Sequence, residues 1–148
     1  MNKKGFTLIE LLVVIAIIGV LAGFLMANFV GVRQRARDGV RKSDLRQIQA
    51  ALELYRSDKG SYPATSDFPS CGSQFDDKGS TPIVYMKKVP CDPTNTDKYV
   101  YTYSPSGSGY NLYACLENVN DSQKDLPNNN SSYCSGGSSN WSYTLSNP

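Results

Sequence analysis

The chain has 148 residues, 40% of them hydrophobic, and a formal net charge of +2. It contains no histidine, which removes the Ser-His-Asp and Cys-His catalytic arrangements. Its charges lack the strong basic excess of a nucleic-acid-binding domain.

Met1 to Gly5 reads as a short polar leader carrying Lys3 and Lys4. From Phe6 to Val32 run 27 residues with a single formal charge, Glu10. At about 1.5 Å rise per residue this exceeds the roughly 20 residues needed to cross a bilayer. A cleavable secretory signal has a shorter apolar centre and then a small-residue cut site. Here the run continues into a helical pattern, which predicts an anchor that stays. Gly19 and Gly23 form a GxxxG pair of the kind that lets helices approach closely in lipid. Glycine is also common in membrane helices without that purpose. With Gly31, the pair equally permits local bending.

Past Val32 the helical period persists. Ala36, Val40, Leu45, Ile48, Leu52 and Tyr55 recur at spacings of mostly three and four, read as one apolar stripe on a charged helix. Gly60 is a natural C-cap and Pro63 follows, so one helix is predicted from about Phe6 to Lys59. Residues 33–59 carry eight basic and four acidic side chains, and residues 60–148 five basic and eight acidic. The basic stretch suits either anionic lipid heads or a solvated helix face.

A short strand is predicted at Pro82–Met86. "KYVYTYS", Lys98–Ser104, and "YNLYACL", Tyr110–Leu116, read as strands joined by the turn "PSGSG", Pro105–Gly109. Residues 117–140 are rich in Asn, Ser, Asp and Gly and read as a surface loop. "NWSYTL", from Asn140, reads as an edge strand. This sheet packs on the stripe of the outer helix, giving an α+β head. The predicted organisation is a leader (1–5), a transmembrane half-helix (6–32), an amphipathic outer half-helix (33–59) and a disulfide-stabilised head (60–148) completed by the outer helix.

The four cysteines, Cys71, Cys91, Cys115 and Cys134, all lie beyond the apolar run. An even count in a small exported domain predicts two disulfides. Of three possible connectivities, Cys71–Cys91 and Cys115–Cys134 close the short loops and are expected. Spacings of 20, 24 and 19 residues without a CxxC pair or a histidine argue against zinc. No P-loop or dinucleotide motif is present. Asp92 and Asp97 read as surface or turn residues. The Asn-x-Ser triplets at Asn130 and Asn140 carry meaning only in a glycosylating host.

Glu10 is costly in hydrocarbon, where ionisable residues usually face a partner. One reading places it near the interface, snorkelling or protonated. The other requires cleavage after Gly5. That cut deletes Lys3 and Lys4 and creates a positive amino group on Phe6, which Glu10 neutralises on its own chain or on a neighbour. An amino terminus and a carboxylate on each copy make a self-complementary head-to-tail contact, and such contacts build open helices. Both charges pay desolvation, so the register imposed matters more than the affinity.

"KKGFTLIELLVVIAIIGVLA", Lys3–Ala22, resembles the class III signal of the type IV pilin superfamily, which includes type IVa pilins, type II secretion pseudopilins and competence pilins. "ALELYRSDKGSYP", Ala51–Pro63, is similar to the helix end and following loop of major pseudopilins and many small pilins. The resemblance implies a type IV pilin-like α+β fold, a long N-terminal helix packed against a small antiparallel sheet. It implies that Gly5 precedes the prepilin peptidase cut, that Phe6 becomes the N-methylated terminus and that Glu10 serves subunit recruitment. It also implies self-assembly into a helical homopolymer with minor pilins or pseudopilins, a membrane platform and a cytoplasmic ATPase. The chain would start as a single-pass membrane protein and end in a surface or periplasmic filament. Two departures stand out. Ala27 occupies the place where many members carry proline. The calcium loop of the major pseudopilins has no clear counterpart: Glu117, Asn118, Asp121 and Asp125 offer oxygens, but their spacing matches no loop signature and a solvated polar loop is expected.

The preferred reading is a non-enzymatic pilus subunit, on the four cysteines and the Asn/Ser-rich loop. A major pseudopilin is the alternative, on the "DKGSYP" loop. A membrane-tethered binding module is the third reading, with Tyr99, Tyr101, Tyr103, Tyr110 and Tyr113 as an aromatic face. Against it, alternating tyrosines in a hairpin usually pack on their neighbours.

Overall fold

The computed structural model describes residues 5–126, 132–134 and 141–147, with backbone alone at 26–28. Met1–Lys4 of the leader, the side chain of Ala27 and the residues Asn130 and Asn140 lie outside that description. The chain forms two units, Met1–Gln34 and Arg35–Pro148, and a helix, α1 (Leu8–Lys59), contributes to both. It starts two residues after the expected Phe6, because Thr7 takes the capping position. At the other end Gly60 has φ +78° and donates its N–H to the Arg56 carbonyl at 2.8 Å. That is the left-handed cap a glycine adopts without Cβ strain.

Among the described residues the second unit carries two antiparallel sheets, where one was expected. β1 (Phe75–Asp76) pairs with β2 (Val84–Met86). β3 (Thr102–Ser106), β4 (Gly109–Leu116) and β5 (Trp141–Ser146) form the order β3-β4-β5. The turn between β3 and β4 is shorter than "PSGSG" suggests. Ser106 pairs with Gly109, leaving Gly107 and Ser108. Gly107 has φ +57°, the geometry a glycine supplies at the first central position of a type II′ turn.

Residues alternate along β4. Tyr110, Leu112, Ala114 and Leu116 face inward and join Leu45, Ile48, Ala51 and Leu52 of α1, with Phe75, Val89, Tyr103 and Tyr143, in one core. An aromatic layer fills it: Tyr55 stacks on Phe75 at 5.4 Å between ring centroids, and Phe68 lies 4.7 Å from Tyr103. Offset and edge contacts of this kind suit the ring quadrupole.

The outer half of α1 departs from the expected stripe. Ala36 and Val40 are exposed, whereas Asp38 and Arg41 are buried at 1% and 0% exposure. The reason is helical phase. At 3.6 residues per turn, stepping back from Leu45 puts Arg41 and Asp38 on the inward face. Val40 lies about 140° and Ala36 about 180° away from it.

The two edges of the larger sheet are protected in different ways. Pro105 lies in the edge strand β3, where its missing N–H removes a pairing site. Along β5, Asp125 mimics a fourth strand. Its N–H donates to the Ser142 carbonyl at 2.9 Å, and its carboxylate accepts the Thr144 N–H at 3.0 Å and the Thr144 hydroxyl at 2.6 Å. Cys115 is bonded to Cys134, and Tyr133 stacks on Tyr113 at 4.2 Å. Cys71 is bonded to Cys91; beside that bridge the Gly72 N–H donates to the Val89 carbonyl and the Val89 N–H to the Ser73 carbonyl, each at 2.8 Å. Replacing Cys115 and Cys134 together by serine is expected to cost about 3 kcal/mol, the loop entropy of a crosslink closing a loop of this size. Urea unfolding of the two forms measures it.

Candidate functional site

The N-terminal unit presents an apolar surface. Phe6, Leu8 and Phe24 are exposed at 85%, 82% and 73%, and every described side chain from Gly5 to Leu25 is exposed. Leu8–Leu25 is long and apolar enough to cross a membrane. A Cβ added at Gly19 or Gly23 would meet nothing within 4 Å, so this face is open to another helix.

Glu10 closes the start of that helix. The Thr7 N–H donates to Glu10 Oε2 at 2.8 Å, the Thr7 hydroxyl donates to the same oxygen at 2.6 Å, and the Glu10 N–H donates back to Thr7 Oγ1 at 3.3 Å. This is a capping box, which satisfies two otherwise orphaned donors. Glu10 Oε1 has no hydrogen-bond partner among the described residues. Sequence reading passed over Thr7, although T-x-x-E before an apolar run is a legible signal. Gly5 and Phe6 precede the helix.

In the second unit, buried charge fastens α1 to the rest. All five guanidinium donors of Arg41 are used. Nε and Nη2 bind Asp92 in bidentate fashion at 2.7 and 3.0 Å, Nη1 binds Asp38 at 2.8 Å and Glu117 at 2.7 Å, and Nη2 also reaches Thr94 at 3.2 Å. Tyr99 covers the guanidinium at 4.6 Å. Burial opposes the charge on Arg41, but the hydrogen bonds to Asp92 and Glu117 outweigh it and raise its pKa. Asp38 then accepts the N–H groups of Glu117 and Asn118 at 2.9 and 2.8 Å. Arg37 forks onto Glu117, and its hydrogen bond is the main reason the Glu117 carboxyl lies below its usual range. Lys42 sits between both oxygens of Asp121 at 2.6 Å each; burial opposes ionisation of Asp121, but Lys42, the Gln123 N–H and Lys124 together more than offset it, so its pKa is lowered.

The four residues weighed as calcium ligands are therefore engaged otherwise. Glu117 serves Arg37 and Arg41, Asp121 serves Lys42, Asp125 serves Thr144, and Asn118 Oδ1 accepts the Asn120 N–H at 3.2 Å. A calcium ion needs six to eight oxygens, and these residues do not fit one. Among the described residues no group of three or more His, Cys, Asp or Glu is placed to hold a metal.

The tyrosines of the proposed recognition face are spent on internal contacts. Tyr103 donates to the Pro63 carbonyl at 2.7 Å, Tyr110 to Glu53 at 3.1 Å and Tyr101 to Asp44 at 2.7 Å. Burial pushes the Tyr103 phenol up to about 12. The "ALELYRSDKGSYP" segment gains a physical account from the same region. Tyr62 donates to Glu53 at 2.9 Å, accepts from Arg56 at 2.9 Å and packs edge-on against Tyr110 at 4.6 Å, folding the chain after Gly60 back onto α1.

A fully exposed apolar helical segment with a capped glutamate, followed by a two-sheet head built on the end of the same helix, defines a pilin-like structural subunit. It is membrane-anchored before assembly into an extracytoplasmic filament, and it is not an enzyme. Residues 1–26 match the prokaryotic N-terminal methylation motif and residues 28–128 match type II secretion system (T2SS), protein G. The chain belongs to the type II secretion system protein G family. It is 32% identical over 121 residues to the type II secretion system core protein G of Escherichia coli K12, covering 75% of this chain and 79% of that protein. To the core protein G of Pseudomonas aeruginosa it is 31% identical over 138 residues, covering 86% and 95%. The type IV wide pilus major component PilA4 of Thermus thermophilus is 49% identical, but over 61 residues, covering 41% and 47%. No solved structure gives a significant match. The pilus reading preferred from sequence thus gives way to its pseudopilin alternative: relatives matched over most of the chain are secretion proteins.

Replacing Arg41 by Met is expected to destabilise the protein by about 3–5 kcal/mol, because it strands buried carboxylates without their counter-charge. Chemical denaturation measures this. Acid acts on the same clamp. Glu117 and Asp121 are lowered from 4.5 and 3.8, so their contribution is present above those values and is lost as pH falls through the lower folded ones. Asp44, raised mainly by burial, acts oppositely and is relieved by protonation. Outside the clamp, Asp77 is held low chiefly by Lys59 and acts in the same sense as Glu117 and Asp121; with three contributions against one, the melting temperature is expected to fall between pH 5 and pH 3.

Proposed function

We propose that this protein is the major pseudopilin of a type II secretion system, the repeating subunit of its periplasmic filament. The observation that carries the reading is the match of residues 28–128 to protein G of that system, supported by similarity along most of the chain to core proteins G. Prepilin peptidase cuts after Gly5, and Phe6 becomes the N-methylated terminus. An inner-membrane platform and a cytoplasmic ATPase drive assembly, and minor pseudopilins join the same filament. The leader is residues 1–5, and the segment 6–32 is the membrane anchor that later packs between subunits, with Gly19 and Gly23 at close approach.

Glu10 carries recruitment. Its Oε2 is engaged by Thr7, while Oε1 is open to the Phe6 ammonium of a neighbouring copy. Low dielectric favours that pairing and fixes its register. A pilus subunit is the second reading, favoured by the 49% identity over 61 residues to the wide-pilus component.

Deleting the gene is expected to abolish exoprotein secretion and leave pilus-driven motility intact; the opposite pattern supports the pilus. In the same host, Glu10→Ala is expected to insert and be cleaved normally yet to lower filament yield roughly tenfold or more, the effect of losing about 1.4 kcal/mol per contact. Sheared filaments, quantified with mass spectrometry of Phe6, give the answer. Normal yield from the variant removes the recruitment role.

A further inference from the structure

The segment after β4 has a use for cations, and the chain supplies them itself. From Glu117 to Asp125, each side-chain carboxylate already has a donor, and the Val119 carbonyl is held by a side-chain cation. Both oxygens of Asp121 hold the Lys42 ammonium at 2.6 Å, as a chelated ion would be held. Glu117 is shared by Arg37 and Arg41. The Val119 carbonyl accepts the Lys124 ammonium at 2.5 Å, and that ammonium also lies 4.4 Å from the Trp141 ring centroid. Asp125 is committed to the Thr144 N–H and hydroxyl. The Lys42 and Asp121 side chains are only 15% and 14% exposed, so their attraction is screened less than that of a surface pair.

A divalent ion entering here would have to displace hydrogen-bonded cations and then sit among four fixed positive charges, Arg37, Arg41, Lys42 and Lys124. Coulomb repulsion over such distances is strong in a half-buried setting. We propose that the Lys42 ammonium does the work of a bound calcium ion in this chain: it clamps the post-β4 segment to α1 and makes the head's stability independent of calcium. Two carboxylates, Glu117 and Asp121, are neutralised by fixed side-chain cations, and a third cation caps the Val119 carbonyl, so the clamp forms with folding and needs no ion from the medium. The inference concerns the head alone and holds whichever filament the subunit builds.

The test uses the full-length protein in detergent, melted in excess chelator and again in millimolar calcium chloride. The two melting temperatures are expected to coincide. A calcium-dependent rise of roughly 5 °C or more, the signature of a ligand bound to the folded state, overturns the proposal. Lys42→Met provides the second arm. It is expected to melt several degrees below the native protein in both media, and Lys42→Arg, which keeps the charge, to recover most of the loss. A Lys42→Met protein as stable as the native chain, or one no less stable than Lys42→Arg, shows that the ammonium is not the clamp. Because the readout is the melt of the isolated chain, a failure here is distinguishable from a failure of the secretion reading.

Discussion

One guanidinium organises the head. Arg41 projects from the inward face of α1 and spends its five donors on Asp38 from its own helix, Asp92 and Thr94 from the segment beyond Cys91, and Glu117 from just past β4. A buried charge of this kind adds little stability over a well-packed apolar residue, but it tolerates few alternative arrangements. It brings three stretches of chain far apart in sequence to one point. The apolar core below it, centred on Leu45, Ile48 and Leu52, then packs against a sheet whose position is already set.

The division of labour along the helix follows from where partners are available. Within the second unit, α1 buries one face on its own chain. Within the first, its apolar side chains stay exposed and must find lipid or other copies. A filament subunit needs both states. The anchor has to be soluble in the membrane before assembly and sticky to its neighbours afterwards, while the head has to keep its shape throughout. Two disulfides, a blocked sheet edge at Asp125 and an internal supply of cations each serve that constancy. They suit a domain that works outside the reducing cytoplasm.

Much of this was legible in the residues. The apolar run beginning at Phe6, the helix stop at Gly60 and the hairpin ending at Leu116 each carry a local signal, and local signals survive folding. Two kinds of feature were not. β1 spans two residues, Phe75 and Asp76, too few for any periodicity. The burial of Asp38 and Arg41 contradicts residue type, since charged side chains are almost never fully buried unless paired. The phase of the helix would have found them, because counting back from Leu45 by four and then three lands on both. The partners Asp92 and Glu117 lie 51 and 76 residues away from Arg41, and nothing in a single sequence announces such a meeting. The capped glutamate was half-read: its charge was noticed and Thr7 was not.

The central claim is that the Arg41 cluster is a permanent part of the folded head and not a surface arrangement that opens and closes. Amide hydrogen exchange tests it most directly at Glu117 and Asn118, whose N–H groups donate to the Asp38 carboxylate. If the cluster is permanent, these two amides exchange only when the whole domain unfolds, with the same opening free energy as the core amides of β4. If they exchange quickly while Leu112 and Ala114 stay protected, the cluster opens locally and the claim is wrong.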